Sequence, residues 1–295
     1  MDEKILILGA NGQLGKEISE SFSNLNTSAY TKKDCDLLDN KSLLNVLNKC
    51  NPKIVINCAA YTKVDEAEDN VEQSQQVNSY AVGEIAKYCK DNQSLLIHYS
   101  TDYVFDGIKS APYSEQEATN PINAYGESKL IGENLIKQFH NKFYIFRTSW
   151  VYGIYGNNFP KTILNLLKTK NSFQVVNDQI GVPTSTRFIA HLTKLFVKDY
   201  LTGNNNEYGV YNLVPNGNSS WYQVASFILN FCKKNNIEIK SNEIISCKST
   251  EFPTKAKRPA YSLLSNDKIN QLYKSEIKDW EFYLEDFLKL ECVYE

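Results

Sequence analysis

Short apolar runs alternate with longer helical patterns through the first half of this chain, and this alternation limits its fold more than any other feature. Ile5 to Leu8, Ile54 to Asn57 and Leu95 to His98 have the length of buried strands. Helical patterns begin at about Leu14 and extend from about Ser74 to Lys90. Strands that alternate with helices form βαβ units, whose parallel sheet is covered on both faces. The sequence therefore predicts an α/β protein with a doubly wound parallel sheet.

A glycine-rich loop follows the first apolar run and leads into the first helical pattern. Its sequence is Gly9-Ala10-Asn11-Gly12-Gln13-Leu14-Gly15. Glycines in this setting permit a tight turn and let the backbone approach a pyrophosphate at the positive end of a helix. Such a turn can also be purely structural, but the strand before it and the helix after it favour a dinucleotide. We therefore predict a Rossmann-like fold whose cofactor-binding residues include Gly9, Asn11, Gly12, Gln13, Leu14 and Gly15.

The end of the second strand, near Ala29-Tyr30-Thr31, bears on which dinucleotide binds. Lys32 and Lys33 follow it, and we expect no acidic residue at this tip to bind a ribose 2′-hydroxyl. A cation there suits a 2′-phosphate and favours NADPH, with NADH as the alternative; a solvated lysine pair explains these residues nearly as well. Asp36 and Leu37 are candidates to contact the adenine, although Asp36 would serve equally well as a helix cap.

Tyr125 and Lys129 are four residues apart in a segment with a helical pattern, Tyr125-Gly126-Glu127-Ser128-Lys129, so both lie on one face. A lysine ammonium near a tyrosine favours the phenolate and lowers a pKa that starts near about 10. The tyrosine could then exchange a proton near neutral pH. A solvated pair is the alternative, because the chain contains 19 tyrosines and 32 lysine and arginine residues.

Composition excludes several classes of protein. The chain has 295 residues, of which 42% are hydrophobic, and a formal net charge of −2, which gives no overall field for nucleic acid or membrane. Seven cysteines without a C-x-x-C pair, and a start at Met1 to Lys4 that lacks signal-peptide features, indicate a cytoplasmic protein. We expect no metal site, because no zinc-binding spacing is found among His98, His140 and His191.

Seven motifs resemble, in order and over nearly the whole chain, those of the extended short-chain dehydrogenase/reductases, and most closely those of the dTDP-4-dehydrorhamnose reductase family. They are Gly9 to Gly15 (GANGQLG), Asn57 to Glu68 (NCAAYTKVDEAE), Ser100 to Gly107 (STDYVFDG), Tyr125 to Lys129 (YGESK), Arg147 to Gly153 (RTSWVYG), Asp178 to Thr184 (DQIGVPT) and Ala256 to Ser262 (AKRPAYS). The resemblance implies NADPH-dependent reduction of the 4-keto group of dTDP-4-dehydro-L-rhamnose to give dTDP-L-rhamnose, for cell-surface polysaccharide biosynthesis.

The resemblance also implies roles for individual residues. Tyr125 would donate the proton, Lys129 would hold the nicotinamide ribose, and Thr101 would hydrogen-bond the substrate carbonyl or else cap a turn. Asn78 is similar to an asparagine that supports a water relay behind the lysine, with capping or packing as the alternative. Contacts to the nicotinamide side of the cofactor are implied for Ala59, Ala60, Tyr61 and Thr62.

Substrate contacts are implied for two residues and suggested by residue type for a third. The family's pattern assigns Asp102 to the substrate and Trp150 to the wall of the sugar pocket, although Trp150 could instead be a core residue. Arg258 is one of three arginines and the first candidate for a bidentate hold on a diphosphate. Arg187 is a weaker candidate, and Arg147 is expected to be structural. An ordinary salt bridge is the alternative for each.

The strict alternation is lost beyond Trp150, which predicts a second, smaller region. We expect residues 1–150 to be mainly an NADP(H)-binding domain and residues 151–295 mainly a substrate-binding region. Segments 173–195 and 208–235 are candidates to return to the first domain. Two other functions stay open: a non-catalytic relative resembling the regulatory subunit of methionine adenosyltransferase, or a reductase of another 4-keto nucleotide sugar. A homodimer is a candidate state, since the family sometimes dimerises, in some members with magnesium at the interface.

Overall fold

A computed structural model describes residues 3–204 and 206–292 of the chain. The strands are β1 (Ile5–Leu8), β2 (Thr27–Tyr30), β3 (Ile54–Asn57), β4 (Leu95–Thr101), β5 (Phe143–Thr148), β6 (Val151–Tyr152), β7 (Ser172–Val176), β8 (Ile180–Gly181), β9 (Thr184–Ser185), β10 (Gly209–Asn212), β11 (Ser219–Ser220) and β12 (Glu243–Cys247). The α-helices are α1 (Gln13–Ser21), α2 (Asn40–Cys50), α3 (Val64–Ala67), α4 (Val71–Gln75), α5 (Ala81–Asp91), α6 (Ala124–Phe139), α7 (Phe159–Thr169), α8 (Thr186–Thr202), α9 (Trp221–Lys234), α10 (Asp267–Tyr273) and α11 (Trp280–Cys292).

Six strands form the central sheet, in the order β2-β1-β3-β4-β5-β10. Each neighbouring pair is parallel. The chain starts at β1 in the interior of the sheet and winds outward in both directions, so the strand order reverses next to β1. This arrangement confirms the predicted α/β fold with a doubly wound parallel sheet. Ligands of such sheets bind beyond the carboxyl ends of the strands at this reversal.

The sheet is buried on both faces because successive side chains of each strand point to opposite sides. Ile5 and Ile7 of β1 face a core shared with α1 and α8. Leu6 and Leu8 face a second core shared with α2, α5 and α6. The continuous apolar runs in the sequence follow from this double burial.

A third core lies in the carboxyl-terminal half of the chain. It gathers buried side chains of α7, α9 and α11 with those of β7 and β12. Within the two segments expected as candidates to return to the first domain, β10 joins the central sheet and α8 packs on it, whereas α9 lies in the third core. The division of the chain into two domains stays a prediction.

The helical pattern from Ser74 to Lys90 is interrupted by a π-helical segment, Gln76–Tyr80, between α4 and α5. The carbonyl of Asn78 in this segment lies against Gly132 of α6, where a Cβ atom would come within 2.2 Å of that oxygen. The sequence pattern did not predict the interruption. Segments of this kind often occur at functional sites.

Met1 and Asp2, part of the amino-terminal segment used to predict a cytoplasmic protein, lie outside the described residues. Over residues 3–204 and 206–292, the helices are either too short or too polar to cross a membrane.

Candidate active site

The glycine loop after β1 forms a cradle in which Gly9 and Gly15 leave no room for a Cβ atom. Gly9 has a φ of +77°, and a Cβ atom there would lie 2.6 Å from the Cα of Ala59, which follows β3. A Cβ atom at Gly15 would lie 2.0 Å from the Gly9 carbonyl oxygen. Gly12 stands at the N-cap of α1 and has no side chain to occupy the first amides of that helix. The loop therefore fits a pyrophosphate held by backbone amides.

Other predicted residues of this loop differ in what their side chains contact. Gln13 donates from Nε2 to the Val151 carbonyl oxygen at 3.2 Å and accepts from Asn158 Nδ2 at 2.9 Å. Its side chain therefore ties the loop to the start of the second region. Leu14 packs against the core beside α1, and Asn11 is exposed.

The tip of β2 carries an acidic residue, so the expectation that none stands there is wrong. Asp34 Oδ2 accepts hydrogen bonds from Thr31 N at 3.0 Å and from Thr31 Oγ1 at 2.6 Å. The two hydrogen bonds from Thr31 lower the pKa of Asp34. The chain turns after Thr31 and brings Asp34 back to the strand end, beside the exposed Lys32 and Lys33. The Thr-x-x-Asp spacing is typical of such a turn and could have revealed this.

Asp36 and Leu37 lie in the loop between β2 and α2. Asp36 Oδ1 accepts from Leu38 N at 3.0 Å, while Asp39 is the residue that caps α2. The side chain of Leu37 is buried in the core beneath α2. Adenine contacts from this pair stay a prediction, and Leu37 would make them through its backbone.

Thr101 ends β4 and begins a short 3₁₀ turn, Asp102–Val104. Its hydroxyl donates to Asp102 Oδ1 at 3.0 Å and accepts from Tyr103 N at 3.2 Å. Thr101 thus caps a turn, as one of the two interpretations of the sequence expected, with its hydroxyl at the carboxyl end of β4. Asp102 is 2% exposed, and burial raises the pKa of its carboxyl to about 6.

Helix α6 begins close to this turn and brings Tyr125 to it. Asn123 caps the helix by accepting from Gly126 N at 2.7 Å. A Cβ atom at Gly126 would lie 2.2 Å from the Tyr103 carbonyl oxygen, so glycine allows the helix to approach. The Tyr125 ring meets the Tyr103 ring edge-on at 5.9 Å.

The expected effect of Lys129 on Tyr125 is absent from the described structure. Burial, together with the charge of Asp102, raises the pKa of Tyr125 above its usual value, and contact with the Thr101 hydroxyl lowers it by less. The Lys129 ammonium instead donates to the Tyr99 carbonyl oxygen at 2.6 Å and lies 3.2 Å from His98 Nε2. The spacing placed both residues on one face correctly, but the sequence did not reveal that burial outweighs the lysine. Tyr125 is therefore a protonated phenol at neutral pH.

Lys129 is 2% exposed, and burial lowers the pKa of its amine to about 8, while the charge of Glu133 opposes this shift. Glu133 is itself held by Arg147, whose Nε and Nη2 donate to its two carboxylate oxygens at 2.9 and 2.7 Å. Ser100 Oγ adds a hydrogen bond to Glu133 at 2.6 Å. Arg147 is therefore a structural residue, as predicted, and it joins β5 to α6.

Asn78 fixes the loop after β3. It accepts from Tyr61 N at 2.8 Å and donates to the Tyr61 carbonyl oxygen at 3.0 Å and to Ser128 Oγ at 2.9 Å. Ser128 Oγ in turn donates to the Tyr125 carbonyl oxygen at 2.7 Å. These bonds occupy the Asn78 amide, so this residue positions the loop that contains Ala60 and Thr62 against α6. Support of a water relay by Asn78 stays a prediction.

Trp150 follows β5 with a φ of +46° and is partly exposed. Its ring stacks on that of Trp221 at 3.7 Å, and a Cβ atom at Gly181 would lie 2.7 Å from it. Ser220 caps α9 and forms a capping box with Gln223. The sequence did not predict that Trp221, at the start of this helix, would stack on Trp150, the candidate residue of the sugar pocket.

Arg258 lies near the active site but is paired within the protein. Its Nη2 donates to Asp65 Oδ2 of α3 at 2.7 Å, and its charge lowers the pKa of Tyr103 against the larger effect of burial. Arg187 instead pairs with Asp286 at 2.8 Å on an exposed surface. Of the two arginines considered for a diphosphate, Arg258 is the one beside the Asp102–Val104 turn.

A parallel sheet with a glycine cradle at β1 and a threonine, tyrosine and lysine at β4 and α6 defines an extended short-chain dehydrogenase/reductase. A family model described as the RmlD substrate binding domain matches residues 3–292. The dTDP-4-dehydrorhamnose reductase of Escherichia coli K12 is 36% identical over 282 residues, which cover 94% of each chain. This chain belongs to the dTDP-4-dehydrorhamnose reductase family, as the motifs predicted.

Two solved structures are similar over almost the whole chain. The dTDP-4-dehydrorhamnose reductase of Clostridium acetobutylicum has a TM-score of 0.89 at 36% identity, covering 98% of this chain and 99% of that one. The Bacillus anthracis enzyme, solved in complex with NADP, has a TM-score of 0.88 at 35% identity, with the same coverage.

Proposed function

We propose that this protein is an NADPH-dependent reductase that converts the 4-keto group of dTDP-4-dehydro-L-rhamnose to the hydroxyl of dTDP-L-rhamnose. One observation carries the proposal: Thr101 and Tyr125 come together at the carboxyl end of β4, with a buried Lys129 one helical turn behind, in a chain of this family. Relatives that match over 94% of the chain are named for this reaction.

The residues around β1 and β3 fit the cofactor. We infer that the backbone of the glycine loop holds the pyrophosphate, Ala59 to Thr62 the nicotinamide side and Lys129 the ribose, as the resemblance implies. The NADP complex of the Bacillus anthracis relative supports this choice of cofactor. When bound, NADPH supplies a hydride to the carbonyl carbon of the substrate.

Tyr125 supplies the proton. Its phenol stays protonated at neutral pH because burial raises its pKa, and transfer becomes favourable when an alkoxide develops at the substrate oxygen. The Thr101 hydroxyl turns from Asp102 toward the same oxygen and donates a hydrogen bond there. Asp102, thus released, accepts a hydrogen bond from a hydroxyl of the sugar.

The rest of the substrate lies along the second region. Trp150, held by its stack on Trp221, offers an aromatic face to the apolar side of the deoxysugar. Arg258 exchanges Asp65 for the diphosphate, which accepts from both nitrogens of the guanidinium fork. Residues 1–150 are proposed as mainly cofactor-binding and residues 151–295 as mainly substrate-binding.

The test is a spectrophotometric assay of NADPH oxidation on addition of dTDP-4-dehydro-L-rhamnose. Tyr125→Phe should lower kcat by about 10²–10⁴-fold, because general acid catalysis contributes that much. Tyr80→Phe is the matched control, since Tyr80 is 54% exposed and lies outside the site. An undiminished rate in Tyr125→Phe rejects the mechanism, and no oxidation by the folded parent rejects the function. NADH in place of NADPH tests Lys32 and Lys33.

The remaining proposals concern location and partners. We propose a cytoplasmic enzyme that binds a dTDP-sugar, associates with neither nucleic acid nor membrane, and forms a homodimer. A net charge of −2 supports the absence of a polyanionic partner, and buried thiols such as Cys50 and Cys89 suit a reducing compartment.

A further inference from the structure

A histidine that the proposed reduction does not use lies buried behind the catalytic lysine. His98 of β4 is 0% exposed, and Asn57, its partner in register on β3, is 1% exposed. Asn57 Nδ2 lies 3.2 Å from His98 Nδ1, and His98 Nε2 lies 3.2 Å from Lys129 Nζ. The three side chains therefore form a continuous buried chain that ends at the Lys129 amine.

One backbone bond fixes the direction of this chain. Ala59 N donates to Asn57 Oδ1 at 3.1 Å, so the carbonyl end of the Asn57 amide must face that N–H. The amide NH₂ then faces His98 and donates to Nδ1. A neutral imidazole has one donor and one acceptor, so its proton is on Nε2. The opposite amide orientation would set two donors against each other at Ala59.

The tautomer of His98 determines which form of Lys129 it can bond. An Nε2–H group that points at the lysine cannot accept from an ammonium, but it can donate to a neutral amine. The neutral amine still donates to the Tyr99 carbonyl oxygen at 2.6 Å. A charged lysine would leave one donor in this buried chain facing another donor, which costs free energy that a neutral lysine avoids.

We propose that His98, locked in one tautomer by Asn57, is a positioning residue that holds the Lys129 amine and favours its neutral form before cofactor binds. This rests on the proposed function for the role of Lys129, and it adds a group that lowers the pKa of that lysine. The hydrogen-bond chain itself does not depend on which substrate is reduced.

The charged groups around Lys129 are consistent with this role. Glu133 on the same helix favours the ammonium, but Arg147 of β5 and Lys137 already neutralise it. Tyr125, one turn earlier on α6, is an uncharged phenol, and Asn57 on β3 carries no charge. Burial lowers the pKa of Lys129 to about 8 and, with the charge of Lys129, holds the pKa of His98 well below its usual value. His98 is therefore neutral, as the chain requires.

The tautomer of His98 is measured by ¹⁵N–¹H correlation spectroscopy on cofactor-free protein labelled at histidine. The chain contains three histidines, and His140→Gln and His191→Gln assign the other two. We expect the His98 proton on Nε2 from about pH 5 to pH 8, across the usual histidine range. A proton on Nδ1 overturns the proposal, and this result needs no variant of the site itself.

The effect on Lys129 is measured by ¹³C NMR titration of labelled lysine, without substrate. His98→Gln should raise the pKa of Lys129 by about one unit, a tenfold gain in proton affinity, because the glutamine carbonyl can accept from the ammonium. Asn57→Asp should also raise it, because a carboxylate would accept from His98 Nδ1 and turn an Nε2 lone pair toward the lysine. His140→Gln, which changes a buried histidine bonded to the Ser94 carbonyl, should leave it unchanged.

An unchanged Lys129 titration in both His98→Gln and Asn57→Asp would show that His98 only fills space. Because both titrations are made without substrate or cofactor, their results do not depend on whether the protein turns over the proposed substrate. Loss of activity on dTDP-4-dehydro-L-rhamnose with an intact His98 effect would reject the proposed function alone.

Discussion

Replacing Lys129 with methionine should raise the free energy of unfolding near neutral pH while it removes catalysis. The lysine is 2% exposed, and burial lowers its pKa from 10.5 to about 8. Between those two pH values the unfolded chain binds more protons than the folded one, so stability rises with pH there. The cost of charging this lysine is full below pH 8 and disappears above its unfolded pKa. At pH 7 it amounts to about 3 kcal/mol.

Methionine removes that cost but also removes the hydrogen bond to the Tyr99 carbonyl oxygen and the contact with His98. Losing a hydrogen bond of this kind costs about 1–1.5 kcal/mol. The variant should therefore be about 1–2 kcal/mol more stable than the parent at pH 7. This advantage should shrink by roughly 2 kcal/mol by pH 9.5, because the parent lysine is neutral there in the folded state.

Urea unfolding of both proteins at these two pH values measures the difference. Lys87→Met on α5 is the control, since this lysine is 48% exposed, and its replacement should change stability by less than about 0.5 kcal/mol at either pH. A Lys129→Met variant that is less stable than the parent at pH 7, or a stability difference that is the same at both pH values, would refute the reasoning.

Two further predictions concern arginines. Arg147→Met should lower the free energy of unfolding by about 3–5 kcal/mol in urea, because the buried Glu133 loses its bidentate partner and keeps only Lys137 and Ser100. Adding Glu133→Gln should recover part of the loss, and a cost below about 1 kcal/mol would contradict this. Arg258→Gln should raise the KM for the nucleotide sugar about tenfold or more and leave the KM for NADPH unchanged. Asp65→Asn should lower the KM for the nucleotide sugar, because it removes the carboxylate that competes with the diphosphate for Arg258. If steady-state kinetics show neither change, Arg258 serves only its ion pair with Asp65.

Much of the sheet could be predicted because its strands are buried on both faces and therefore read as continuous apolar runs. Ile54 to Asn57 is both a predicted run and an observed strand. The role of residues 209–212 could not be derived from the pattern, since β10 becomes a sheet strand only by pairing with β5. The π-helical segment around Asn78, which lies against α6, was likewise not predicted from the sequence.

The site was predictable where spacing alone sets geometry. Four residues along a helix place Tyr125 and Lys129 on one face, and glycines mark the cradle. Electrostatics was not predictable in the same way, because the pKa of Tyr125 depends on burial by elements distant in sequence. Asp34 comes close to the end of β2 through a turn, and Trp221 comes close to the site by stacking on Trp150. Hydrophobic periodicity predicts neither contact.

The most direct test of the central claim is the fate of dTDP-4-dehydro-L-rhamnose mixed with purified protein and NADPH. The absorbance of NADPH should fall in proportion to the ketone consumed, and NMR of the product should show dTDP-L-rhamnose. A folded protein that binds NADPH and leaves both the cofactor and the ketone unchanged would contradict the account.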